Sequence, residues 1–189
     1  MRNTLAAAAF VLLIVCSSGL AHADTIPLVD NGGGLIYDPN LTITWYDFSY
    51  HSTSWSDAKS WASGLALGGV SGWRLPTTPG TTTGFTAEGE MGYLATYEIG
   101  SASGSYNPAP FTNLLTTVGY WTGTEYAPTP GDAWLYILIG YQTPNVEGAN
   151  WYALAVHSGD IAPVPIPGAI LILGPGLAGL AAMRRRFRK

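Results

Sequence analysis

Cationic side chains are almost absent from the interior of this sequence. Of its eight Lys and Arg residues, Arg2 stands near the N-terminus and Arg184, Arg185, Arg186, Arg188 and Lys189 at the C-terminus, leaving Lys59 and Arg74 between them. The same interval holds all twelve Asp and Glu residues, a net charge of −10. A surface of that sign repels phosphates, which excludes nucleic acid as a partner. Cysteine is equally scarce. Cys16 is the single example, and it falls in a segment with the features of a leader. Disulfides, thiolate metal sites and a cysteine nucleophile are thereby excluded from the rest of the chain. Charged residues make up only 11%, against 24 Gly and 13 Pro, which suits short strands and tight turns better than long solvated helices. No serine sits in a Gly-x-Ser-x-Gly elbow. His157, Ser158 and Asp160 are too close along one strand to converge on one face. A hydrolase triad is therefore not expected.

The two ends read as addresses. Residues 1–23 have a positive Arg2, an apolar run from Leu5 to Val15, and an Ala21-His22-Ala23 cleavage site, the three parts of a signal peptide. The implied partners are the Sec translocon and signal peptidase. Residues 163–189 begin Val164-Pro165-Ile166-Pro167-Gly168, continue through an apolar run to Met183, and end in a basic tail, 184–189. Residues 166–183 would span roughly 27 Å as a helix, enough for a short transmembrane segment. The basic tail would keep that end cytoplasmic.

This tail resembles the PEP-CTERM sorting signals of the VPLPA variety, with Val164, Pro165, Pro167 and Gly168 as its motif. The resemblance implies recognition by an exosortase-type membrane protease. It further implies an inner-membrane-anchored precursor facing the periplasm, later moved to the outer surface or extracellular matrix of a Gram-negative bacterium.

Between these ends lies one domain, 24–162. Residues 34–38 and 41–46 read as strands, the second alternating Leu, Ile and Trp with Thr. Thr53 or Ser54 caps a helix that starts at Trp55 and ends near Gly64. Its apolar side carries Trp55, Ala58, Ala62 and Leu65, flanked by Trp61, while Ser56, Lys59, Ser60 and Ser63 face solvent. Glycines 68, 69 and 72 force a turn into Trp73-Arg74-Leu75-Pro76. A second helix is expected over residues 87–98, behind Thr86. Strands follow at 119–125, 133–139 and 151–157, bounded by Pro-Gly and Pro-Asn turns. Helices early and strands late make an α+β domain.

Several side chains suggest sites. Arg74, in so acidic a domain, reads as a fork tying a carboxylate to backbone carbonyls, with Glu125 the favoured partner and Glu90 the second choice. Asn145, Glu147 and Asn150 offer oxygens for a Ca²⁺ or sugar-binding loop, although a polar loop without metal explains them as well. No other cofactor is implied. Trp45, Trp55, Trp73 and Trp134 read as core. Tyr106, Tyr126 and Tyr141 are the better candidates for exposed contacts.

The order TWYD, WSDAKSWASGLALGGVSGWRLPT, EMGYLATY, YWTGTEY, AWLYI and YALAVHSGD is similar to the DUF1566 family, also called the Lcl C-terminal domain. The resemblance implies a C-type-lectin-like domain with two short helices and an antiparallel sheet. Ala62 stands where many relatives carry cysteine, and Leu154 and His157 where basic residues are common. The function implied is a non-enzymatic envelope or matrix protein associated with exopolysaccharide. The alternatives are a glycan-active enzyme working through carboxylates and a structural surface protein without a ligand.

Overall fold

A computed structural model describes residues 25–162. The chain runs through β1 (Val29–Gly32), β2 (Leu35–Asp38), β3 (Ile43–His51), α1 (Trp55–Gly64), β4 (Gly84–Phe85), α2 (Gly89–Tyr93), a π-helical turn (Leu94–Glu98), β5 (Gly119–Glu125), β6 (Asp132–Ile137), β7 (Tyr141–Val146) and β8 (Tyr152–Ser158). The strands form one eight-stranded sheet in the order β1-β2-β3-β8-β5-β6-β7-β4. Every pairing is antiparallel except β5 with β8, where Tyr120 and Trp121 lie beside Tyr152 and Ala153.

Strand alternation divides the core into two halves. On β8, Leu154 and Val156 face one side and Ala153 and Ala155 the other. The first side joins Ile36, Ile43, Trp45, Tyr120 and Tyr136 to Met91, Leu94, Ala95 and Ile99 of α2 and the π-helical turn. The second receives α1 through Trp55, Ala58 and Ala62, together with Trp73 and Leu75. Alanine meeting alanine, 153 and 155 against 58 and 62, lets α1 lie close to the sheet.

Local chemistry sets the helix boundaries. Ser54 accepts the Asp57 N–H at 3.1 Å, while Asp57 accepts the Thr53 N–H at 2.8 Å, a reciprocal cap at the start of α1. The Thr53 bond holds the Asp57 carboxyl below its ordinary value. The second helix is shorter than the 87–98 pattern suggests, and Glu88 rather than Thr86 is its N-cap. Gly89 has φ +75°, and a Cβ there would lie 2.9 Å from the Thr77 carbonyl, so only glycine brings this helix start against that loop. After Tyr93 the helix widens, with the Ile99 N–H reaching back to Leu94.

Three expectations are corrected. The sheet is mixed and not wholly antiparallel, because β8 inserts between β3 and β5. That overturns the C-type-lectin-like architecture. Strands β1, β4 and β7 come from segments outside the expected strands. Pro144 is accommodated in β7 because β4 covers only Tyr141 and Gln142, leaving an open edge beyond. The transmembrane helix at 166–183 and the signal peptide at 1–23 lie outside the described residues, and no described helix is long and apolar enough to cross a membrane. The inner-membrane-anchored, surface-delivered address is corrected accordingly to an α+β domain without a described membrane span.

Where β2 turns into β3, Asp38 is fully buried and accepts the Asn40 and Leu41 N–H groups, each at 3.0 Å. Asn40 in turn donates to Glu98 at 2.8 Å, tying the π-helical turn to this hairpin. Burial, with the nearby Asp38 charge, pushes the Glu98 carboxyl from its ordinary 4.5 to about 7. The folded state thus keeps a proton between those values that the unfolded state has released. Stability is predicted to fall as pH rises from 4.5 towards about 7. Urea denaturation across that range should show this decline in the wild type and a shallower one in Glu98→Gln. An identical decline in the variant would remove Glu98 as its source.

Candidate ligand-binding site around helix α1

Trp73 to Pro76 enters the middle of the sheet. Arg74 and Val156 exchange both backbone hydrogen bonds, at 3.0 and 2.8 Å, and the Gly123 N–H donates to Pro76 at 2.7 Å. The segment therefore fills the gap where β5 and β8 part, since these strands pair only at their first residues. Trp73 is buried, and its Nε1 donates to Val70 at 3.0 Å. Above it lies α1, anchored by Trp55, whose N–H donates to Glu147 and whose Nε1 donates to Thr122 at 2.7 Å.

A cleft of about 360 Å³ opens between the outer face of α1 and this segment, lined by Ser56, Lys59, Ser60, Ser63, Trp73, Arg74, Leu75, Thr77 and Gly123. Both interior cations of the chain reach it. Lys59 Nζ lies 3.3 Å from the centre of the Trp55 ring, a cation–π contact. Arg74 grips Glu90 with two parallel bonds, Nη1 to Oε2 at 2.8 Å and Nη2 to Oε1 at 2.6 Å, and gives a third to the Leu75 carbonyl at 3.1 Å. Glu90 also accepts the Thr77 N–H at 2.7 Å. The Arg74 side chain keeps 38% of its surface exposed, against 14% for Glu90.

The other flank of α1 carries aromatic rings. Tyr46, Phe48 and Tyr50 recur at period two on β3, and Trp61 meets them from the helix. Tyr50 stacks on Trp61 at 4.7 Å and 6° between planes, Tyr46 on Phe48 at 5.7 Å and 22°, and Phe48 lies 6.3 Å from Trp61. Phe48, near the middle of the row, is 45% exposed.

The expected site residues fall out as follows. Arg74 is paired, but with Glu90 and not Glu125, which ends β5 on an exposed position. The glycine start of α2 brings Glu90 to the Thr77 loop, and that close approach decides between them. Asn145, Glu147 and Asn150 do not share one loop. Asn145 lies inside β7 opposite Ala133, Glu147 donates its backbone N–H to Gly131 and accepts that of Trp55 on its carbonyl, and Asn150 is exposed before β8. Among the described residues, no group of three or more His, Cys, Asp or Glu is arranged to hold a metal ion. His157 Nε2 lies 3.2 Å from the Ser71 carbonyl, not from a serine hydroxyl. Trp45, Trp55, Trp73 and Trp134 are buried, and Tyr106 is exposed. Tyr126 and Tyr141 are half-buried, packed against Trp134 and Phe85. The sorting motif, Val164, Pro165, Pro167 and Gly168, and the cleavage residues Ala21 and Ala23 lie outside the described residues.

The Tyr46–Phe48–Tyr50 row was not among the expected contacts. Its signal was the period-two alternation of Tyr46, Phe48 and Tyr50, which runs past the expected strand end at Tyr46 to His51. Asp47 is in fact buried and held by Thr112 and Asn113, including two N–H groups at 2.8 and 3.0 Å. Those bonds let a carboxylate remain in the strand.

No family model, curated protein or solved structure matches the chain. The labels DUF1566, PEP-CTERM, exosortase, signal peptide, secreted, cell surface and transmembrane helix, expected from sequence, are corrected on that ground to an α+β domain built on a mixed sheet.

The Arg74–Glu90 geometry predicts a specific order of stabilities. Glu90→Ala removes the acceptor of three hydrogen bonds, and Arg74→Ala leaves Glu90 with one. Each should cost about 1–3 kcal/mol, with the loss at Arg74 tempered by its exposure. Glu125→Ala should change stability by less than about 0.5 kcal/mol. Chemical denaturation of the three variants checks this, and a Glu125 effect as large as that of Glu90 would contradict the pairing.

Proposed function

We propose that this protein is a non-enzymatic carbohydrate-associating domain that receives an exopolysaccharide on the aromatic flank of α1. The observation that supports this reading is the row Tyr46, Phe48, Trp61 and Tyr50, whose rings touch in sequence while Phe48 remains 45% exposed. Aromatic side chains of this size normally contribute to stability by burial. A contiguous, partly exposed set is the kind of patch that marks an interaction surface. Sugar rings have apolar C–H faces and hydroxylated edges, so a flat aromatic platform complements the face and leaves the edges to polar partners. Mutual stacking fixes the rings before the ligand arrives, which lowers the ordering penalty on binding.

The enzymatic alternative rests on Glu90 or Glu125. Both oxygens of Glu90 are already engaged by Arg74, and one also by the Thr77 N–H. A general acid or base must be free to exchange its proton with substrate, so the binding reading ranks first.

Titration of tryptophan fluorescence with cellohexaose, maltohexaose and purified bacterial exopolysaccharide tests the proposal. At least one should bind. Phe48→Ala should weaken that binding about 2–10-fold, the range expected for one aromatic contact, while the protein remains folded with only a modest fall in its denaturation midpoint. Binding unaffected by both Phe48→Ala and Trp61→Ala would overturn the reading. So would the absence of binding to all three.

A further inference from the structure

We infer that the cleft between α1 and the Trp73–Pro76 segment binds the carboxylate of a small organic acid, a sugar acid in particular. Arg74 supplies the fork and Lys59 a second cation. This deepens the carbohydrate reading by assigning a charge to the ligand, yet it rests on different residues.

The argument begins with the guanidinium. It carries five N–H groups in one plane and accepts none. Three are taken: one each from Nη1 and Nη2 by Glu90, and the second on Nη1 by the Leu75 carbonyl. The two left over are Nε–H and the outer Nη2–H. In a planar guanidinium these lie side by side along one edge and point the same way. Their spacing matches the two oxygens of one carboxylate, just as the occupied edge matches Glu90. Among the described residues neither has a protein partner. Arg74 lines the cleft while Glu90 does not. Because Glu90 and Leu75 lock the plane, the free edge is held in place before any ligand binds.

Lys59 lines the same cleft, and Arg74–Glu90 is the single salt bridge found among the described residues. With Glu90 counted against Arg74, these groups leave one net positive charge, which a monoanion neutralises. Around the two cations stand the hydroxyl-bearing residues Ser56, Ser60, Ser63 and Thr77. They offer donors and acceptors to the hydroxyls of a sugar ring, and the volume is at the small end of the range for ligand pockets. In a domain with so large an acidic excess, this is where an anion finds both Lys59 and Arg74.

The test uses the full-length protein, with ¹⁵N chemical shifts followed during titration with D-galacturonate, its methyl ester, and acetate as the minimal carboxylate. Galacturonate should shift residues 56–63 and 73–77, and the neutral ester should bind about tenfold more weakly or worse. Lys59→Met retains the apolar stem and loses the charge, and should weaken binding about fivefold. Arg74→Lys retains the charge and loses the fork, and should weaken it at least as much. If Arg74→Lys does not fold, Lys59→Met and the ester comparison decide. Equal binding of acid and ester, indifference to Lys59→Met, or shifts elsewhere would overturn the site. So would the absence of any response to galacturonate and acetate up to roughly 100 mM, where fragment-sized acids register. Phe48-dependent binding of a neutral hexasaccharide, with galacturonate indifferent to Lys59, would remove this site and leave the aromatic platform standing. Lys59-dependent galacturonate binding, with no neutral glycan bound, would do the reverse.

Discussion

The exchange of backbone bonds between Arg74 and Val156 is the contact on which the rest of this domain depends. Strands β5 and β8 are parallel and pair only at Tyr120–Trp121, so beyond that point the sheet has a gap at its centre. Unpaired backbone groups there would be buried without water. Trp73 to Pro76 supplies the missing partners. In doing so it places Trp73 beneath α1, directs Arg74 towards α2, and brings Pro76 against Gly123. One four-residue segment thus joins the helix on one face of the sheet to the helix on the other.

That position also explains the use of the single interior arginine. A guanidinium leaving the sheet beside α2 meets Glu90, whose own oxygens are further fixed by the Thr77 N–H. Lysine could neutralise the charge, but it could not bond both carboxylate oxygens and the Leu75 carbonyl from one rigid plane. The pair is only partly buried, so its value is geometric more than energetic. It holds the Thr77 loop, the start of α2 and the central segment in a fixed relation.

Much of the local structure was legible because local chemistry determines it. The Ser54–Asp57 cap and the Trp55, Ala58, Ala62 spacing located α1, and β5 followed from its aromatic run. Non-local relations were not legible. Nothing near β8 announces that it inserts between β3 and β5, so an antiparallel sheet was the natural expectation and a mixed one resulted. Arg74 could be recognised as an internal tie, but Glu90 gained the contact through the backbone freedom of Gly89, which composition does not reveal. Two strands run through residues unusual in strands. Pro144, which reads as part of a Pro-Asn turn, is tolerated in β7 at a half-covered edge, and Asp47 is tolerated in β3, beyond the expected end at Tyr46, because Thr112 and Asn113 satisfy its oxygens. The aromatic row was lost with that half-strand.

The two flanks of α1 pose a physical question that stability alone does not answer. A helix face left to solvent is best filled with Glu, Lys, Gln or Arg, which have higher helix propensity than serine. Here that face carries Ser56, Ser60 and Ser63, with Lys59 as its one charge. Each serine sacrifices up to about 0.7 kcal/mol of propensity relative to alanine and forgoes the i,i+4 ion pairs that longer side chains would make. Short side chains do, however, keep the cleft beside Arg74 open, and they line it with hydroxyls. Longer residues at the same positions would fill it, and acidic ones would put negative charge into a cleft lined by Lys59 and Arg74. The opposite flank makes a similar sacrifice by leaving Phe48 exposed. A domain concerned only with folding would have little reason to do both around one helix, whereas a domain that holds a hydroxylated, partly apolar ligand needs surfaces of these two kinds.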